Sequence, residues 1–381
     1  MDVKELVREM YEKVMRISDL DWSEICEKYD CGIHPDQLRK MGAGIRLAAE
    51  AGMLSLDGEK VVSRPYDLQK MRDLRNEMSE IHRAQARSEA LREAVEEAAG
   101  KLPPIRVEAL PTPQSSGKTL VLCMGDFHFG AEWTVKGLYG ETLNRYNPEI
   151  FAQRMAELLG QVATILAKEG ITDVALLMCG DSLDGMLRPS QLMKLRWGVV
   201  ESCIRFAEYM SAWIGELSRI AHVRVFNVDA NHTELRPLGS RRGDFNNENF
   251  EKIITWYIAE RLKENANVEV DAESEAMKRL DVQGFSFLVT HGTDIKHMEN
   301  AAKQAMLLYN ERIDFLICAH KHREQGAIFG YTDSGNSMVI RVPSICGMDD
   351  YAQRLGYGGK PGALAMVIEA GYGRRCVYPL Q

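Results

Sequence analysis

The chain has 381 residues, 45% hydrophobic and 27% charged, with a formal net charge of −8. A chain of this length can bury a substantial core and holds more than one domain. No window reaches the roughly 18–20 consecutive apolar residues of a membrane span, and the acidic balance argues against a protein that coats nucleic acid nonspecifically, though not against a local basic groove. Eight cysteines without a CxxC pair make neither a disulfide framework nor a zinc ribbon. The opening stretch, MDVKELVREMYEKV, is a charged amphipathic helix pattern without the apolar core of a signal peptide, so a cytoplasmic location is expected.

Residues 1–66 are expected to form a small helical domain. Trp22, Ile25 and Tyr29 have helical spacing, with Asp21 or Ser23 able to cap the start. A turn at Cys31-Gly32 leads to a second helix from about Pro35 through Ala49, carrying Arg39, Lys40 and Arg46. Two β-prone runs around Asp57-Gly58 follow, a hairpin signal. Helices followed by a hairpin read as a winged helix-turn-helix in which Arg39, Lys40 and Arg46 contact nucleic acid, or as a small interaction module. Residues 67–99 lack Gly and Pro and read as one long polar helix, a candidate surface, with the N-terminal region, for homodimer formation. The four prolines and Ser-Ser-Gly cluster of GKLPPIRVEALPTPQSSGKT complete a 67–118 helix-and-linker segment.

From 119 to 381 the pattern alternates. Apolar runs at 119–124, 173–179, 222–228, 285–290 and 314–319 are separated by helical patterns such as PEIFAQRMAELLGQVATILAKEG. That alternation implies an α/β domain whose ligands gather at the carboxyl ends of the strands. The five runs end in GDFHFG (Asp126, His128), GDSLDG (Asp181, Asp184), DANHTE (Asn231, His232), HGTD (His291) and AHKH (His320, His322). Each alone has an ordinary explanation as a turn, a cap or a core histidine. Together, five successive strand ends deliver carboxylates, imidazoles and an amide, and no thiolate. Such donors suit hard-to-borderline divalent ions, and seven exceed one ion's needs but fit two ions sharing a carboxylate.

The order D-x-H, G-D-x-x-D, N-H, H-G, H-x-H resembles the calcineurin-like metallophosphoesterase superfamily over roughly residues 119–342. The resemblance implies a four-layer α/β/β/α sandwich. It also implies a first metal on Asp126, His128 and His322, a second on Asn231, His291 and His320, and Asp181 between them. The ions would be Mn²⁺, with Fe or Zn as alternatives, and His232 would steady the phosphate and protonate the leaving oxygen. Where the family has an acid directly after N-H, this chain has Thr233, leaving Glu234, Asp184 or Asp229 to orient His232. Ala319 replaces a family glycine, which requires its φ to stay negative.

Gly185 stands after Asp184, where the protein Ser/Thr phosphatase branch has arginine, so that branch is disfavoured. The chain is similar to the SbcD-like DNA exonuclease branch and to metallophosphoesterases encoded by phages and prophages. A DNA nuclease is therefore expected, with nucleic acid as partner. The alternatives are a phosphodiesterase or phosphatase acting on small molecules or cyclic nucleotides, and a DNA-binding regulator using the fold as a partner surface. Arg236, Arg241 and Arg242, in the loop after N-H, either contact phosphates or form a solvated loop. Tyr351, Arg354 and Tyr357 are candidates to border the substrate groove.

Overall fold

The computed structural model describes residues 3–30, 32, 34–50, 75, 76, 79, 93, 95, 97, 99–110, 117–185, 189–235, 248–332, 335–356 and 359–381. The chain divides into two compact units, Met1–Gln85 and Ala86–Gln381. In the first, helices Val3–Val14, Trp22–Tyr29 and Pro35–Glu50 enclose Leu6, Met10, Ile25 and Leu38. Asp21 caps the second helix, accepting from the Ser23 and Glu24 amides, while the Glu24 carboxylate accepts from the Asp21 amide. Trp22 lies so close to Gly42 that a Cβ there would sit 2.3 Å from the indole. The residues of the expected hairpin and most of the expected long helix lie outside the described residues, while Arg39, Lys40 and Arg46 are exposed on the third helix.

The second unit is built from two sheets. The six-stranded sheet runs β13 (Gly373–Leu380), β12 (Ala363–Glu369), β1 (Lys118–Met124), β4 (Asp173–Met178), β5 (His222–Asn227), β6 (Val268–Val270). Strands β1, β4, β5 and β6 are parallel to one another, whereas β12 runs antiparallel to β1 and β13 antiparallel to β12. The five-stranded sheet runs β10 (Gln325–Thr332), β11 (Gly335–Arg341), β9 (Phe315–Cys318), β8 (Phe285–Thr290), β7 (Met277–Val282), with its three central strands parallel. A separate hairpin joins β2 (Trp133–Lys136) and β3 (Thr142–Tyr146).

Strand alternation sorts the side chains into layers. Val121, Cys123, Ala175, Leu177 and Met366 face Phe287, Val289, Phe315, Ile317 and Ile340 of the other sheet. Leu120, Leu122, Leu176 and Val225 point the other way, onto helices Pro148–Glu169, Val199–Leu217 and Phe250–Leu262. Leu288, Leu316 and Val339 pack on helix Met298–Tyr309. Helices, sheet, sheet and helix thus stack in the expected α/β/β/α order. The first long helix shows how sequence sets its limits: Asn147 caps it, Pro148 occupies the first turn, and Gly170 ends it in a left-handed conformation. Segment 103–110 is extended and docked: Ile105 donates its amide to the Arg261 carbonyl and Leu110 to Asn267 Oδ1. The seven described cysteines are free thiols, and among the described residues no helix is long and apolar enough to cross a membrane.

Candidate metal centre

The five sequence motifs leave the carboxyl ends of parallel strands β1, β4 and β5 in one sheet and β8 and β9 in the other, and their side chains converge. Backbone geometry marks the place. Of nine non-glycine residues with positive φ among the described residues, five are Asp126, His128, Asp181, His320 and His322, at 44° to 74°. Such conformations cost on the order of 1–3 kcal/mol each and persist only where the surroundings enforce them. Enforcement is visible here. Asp126 accepts the His320 amide at 3.0 Å, and its own amide and carbonyl are held by the Gly180 carbonyl and the Cys346 amide. Ala319 stays out of the left-handed region, as its side chain requires, and its methyl abuts Gly125, where a Cβ would meet Ala319 and Cys179 Cβ atoms at 3.0 Å each.

The histidines are held from behind. His128 Nδ1 lies 3.0 Å from Asp184 Oδ1, His291 Nδ1 2.8 Å from the Cys179 carbonyl, and His322 Nδ1 3.3 Å from the Gly347 carbonyl. Carbonyl and carboxylate oxygens only accept, so each Nδ1 donates and each Nε2 turns its lone pair inward. The inward atoms crowd together: His128 Nε2 is 3.2 Å from His322 Nε2, and His291 Nε2 is 3.1 Å from His320 Nδ1 and 3.0 Å from Asp181 Oδ2. Facing lone pairs in a buried site need a cation or protons between them.

Charge states agree. Burial pushes His320 down to about 3, with His291 beside it adding to the effect, and burial also lowers His322, so both are neutral donors. For His291, burial alone would favour the neutral ring, but the Asp181 carboxylate outweighs it and raises the pKa to about 9. Without metal, then, protons hold this cluster together, and divalent ions would displace them. The set fits two such ions: Asp126, His128 and Asp181 form one group of donor atoms within 4.8 Å of one another, and Asp181, His291 and His320 another. Asn231 lines the same cavity, its Oδ1 accepting from Thr293 at 3.0 Å.

Beside them, His232 donates its amide to Asp181 Oδ1 at 2.9 Å and places Nδ1 3.0 Å from the Asp184 carbonyl and 3.2 Å from Asp184 Oδ1. Asp184 therefore holds both His128 and His232. The described contacts of His232 do not reach the other two acids: Asp229 accepts from Ser274 and pairs with Lys252, and Glu234 is buried in a backbone bridge with Asn249. Gly185 is dictated by this contact, because a Cβ there would stand 1.5 Å from the His232 carbonyl oxygen. Arg236, Arg241 and Arg242 lie outside the described residues, as does Tyr357, while Tyr351 and Arg354 line the cavity.

Sequence reasoning missed several supporting groups. Glu251, wholly buried, accepts from the amide and hydroxyl of Ser182 and from Asn227, fixing the loop that carries Asp181 and Asp184. Gln191 sits 3.1 Å from His232 Nδ1, and Trp133 walls the cavity beside His128. None has a motif. Glu251 is one charge among Lys252, Glu260 and Arg261 of its helix, so nothing in the sequence singles it out.

Carboxylates, imidazoles and an amide thus gather at the strand ends, with a carboxylate-held imidazole alongside, a donor set that suits divalent metal ions. No family model matches the chain. Among solved structures it is similar to a Zn²⁺ complex of Vps29 from Entamoeba histolytica (13% identity, TM-score 0.29, covering 65% of this chain and 84% of that one). It is also similar to an archaeal phosphodiesterase (12%, TM-score 0.33, 68% and 99%). The SPbeta prophage-derived uncharacterized protein YonJ of Bacillus subtilis strain 168 is 31% identical over 324 residues, 84% of this chain and 78% of that protein. The chain belongs to the family of this prophage-derived protein.

Proposed function

We propose that the chain is a two-metal phosphodiesterase that cleaves nucleic acid, with DNA as its substrate. The convergence of strand-end donors with inward-facing lone pairs carries this reading. Asp126, His128 and His322 would hold one ion, Asn231, His291 and His320 the other, with Asp181 shared; Mn²⁺ suits this mixture of oxygen and imidazole donors, as do Fe and Zn. When bound, the ions supply an acidified water and a positive field for the phosphoryl oxygens.

The remaining steps belong to the chain's own groups. Asp184 fixes the His232 tautomer, so that Nδ1 is occupied and Nε2 faces the cavity. Burial opposes the charged ring, but Asp181 and Asp184 outweigh it and raise the pKa of His232 to about 9. Without metal His232 is thus an imidazolium at neutral pH, and a protonated ring at this place would bind a phosphoryl oxygen and pass a proton to the departing oxygen. Asp184, held below the ordinary carboxylate range by hydrogen bonds from His128 and His232 that overcome its burial, stays ionised throughout.

A DNA substrate is supported by the exposed basic side chains Arg39, Lys40 and Arg46 and by the similarity of the motifs to the SbcD-like branch. The test is hydrolysis by Mn²⁺-loaded protein of bis-p-nitrophenyl phosphate and end-labelled linear DNA in parallel. Cleavage of both is expected, with DNA binding weakened by combined alanine substitution of Arg39, Lys40 and Arg46. Cleavage of the small ester alone would reassign the substrate to small phosphodiesters.

A further inference from the structure

The cavity over the metal donors, about 270 Å³, has a lip built from residues that play no part in the steps above. A short helix, Asp350–Arg354, forms it. Asp349 caps this helix by accepting the Ala352 amide at 2.7 Å, and Gln353 clamps it to β2 through the Lys136 carbonyl at 2.7 Å. On this fixed turn Tyr351 stands at the mouth, 55% exposed, and Arg354 lines the cavity without a carboxylate partner among the described residues. Lys194 reaches in from another loop and meets Asp350 at 3.3 Å. Deeper, Trp133 is 9% exposed and locked by its Nε1 donating to the Met348 carbonyl at 3.1 Å.

We infer that this lip is a nucleoside subsite: Tyr351 stacks on the base attached to the scissile phosphate, and Arg354 with Lys194 holds the next phosphate along the strand. The inference rests on the phosphodiesterase reading. Its volume lies just below the usual range for small-molecule sites, roughly 300–1,000 Å³, which suits one nucleoside unit and not a duplex laid in a groove. The walls carry polar and apolar surface in nearly equal measure, with Lys194, Arg354 and Tyr351 among the lining residues. An exposed aromatic ring flanked by cations is the combination that holds single-stranded nucleic acid, because every base offers a π-face and every linkage a charge. The substrate is then a strand end or an unpaired nucleotide.

The experiment compares two esters with the same leaving group, thymidine 5′-monophosphate p-nitrophenyl ester and methyl p-nitrophenyl phosphate, using full-length Mn²⁺-loaded protein. Stacking is typically lost with a change of about tenfold in binding. The wild type is expected to favour the nucleoside ester by about that factor, Tyr351→Ala to erase the preference through KM, and Tyr351→Phe to keep it. Calorimetric binding of thymidine 5′-monophosphate should weaken about tenfold in Tyr351→Ala and not in Tyr351→Phe. If both esters are hydrolysed and Tyr351→Ala keeps the preference and the affinity, the subsite is wrong. Hydrolysis of neither ester by the wild type overturns the phosphodiesterase reading, and the subsite with it.

Discussion

At His232 two opposing effects are large and their balance decides the chemistry. Desolvation favours a neutral ring, but the carboxylates of Asp181 and Asp184 keep the proton on. His232→Ala should therefore retain both metals while losing about 10²–10⁴-fold in turnover on esters with poor leaving groups, and much less on p-nitrophenyl esters, whose leaving oxygen needs no proton. Metal analysis beside kinetics on both ester types checks this; loss of metal would make His232 a ligand instead. The convergence of these side chains was legible because each closes an apolar run, while their division between two ions was implied only by the family resemblance. The acid that holds His232 was not legible. Spacing left Asp184, Glu234 and Asp229 equal, and the choice depends on the left-handed turns that aim Asp181 and His128, which spacing does not encode.

Among the elements, the β4 loop carries the most constraint. Gly185 combines a φ of +71° with a backbone contact that leaves no room for a side chain. Gly185→Ala should cost about 3 kcal/mol or more, combining strain with forced displacement of His232. Thermal unfolding and metal content would both report it, and a variant with wild-type Tm and turnover would contradict the contact. Glu251→Ala should strip the acceptor from three buried donors, at about 1–3 kcal/mol for each left unsatisfied, and should weaken metal binding about 10-fold or more through the displaced Asp181 loop. Unaltered metal affinity in a folded variant would deny Glu251 that positioning role. Helices 148–169 and 199–217 were readable from sequence because long helical patterns separate the strands. Helix Phe250–Leu262 was not, since Ile254, Tyr257, Ile258 and Leu262 are buried along with Glu251, Thr255 and Arg261, so no clean apolar stripe survives. The docked course of 103–110 was hidden for a similar reason: prolines imply extension but do not say what the strand lies against.

Over the whole molecule, the four-layer stack brings strand ends of two sheets to one point, and the centre's charge then feeds back on stability. His232 and His291 are raised from an ordinary value near 6.5 to about 9. A raised pKa contributes stability fully below the unfolded value and loses it as pH climbs through the folded one. Metal-stripped protein should therefore lose Tm between about pH 6.5 and 9, while divalent ions, which replace the proton on His291, should give a Tm gain that grows over the same window. A metal-stripped Tm that rose across this range would contradict the proposed charge state. The central claim, two ions on this donor set, is tested most directly by calorimetric titration of metal-stripped full-length protein with Mn²⁺, with metal content measured after dialysis. The wild type should bind two ions per chain and His322→Ala one. A wild type that binds none, or a His322→Ala variant that still binds two, would contradict it.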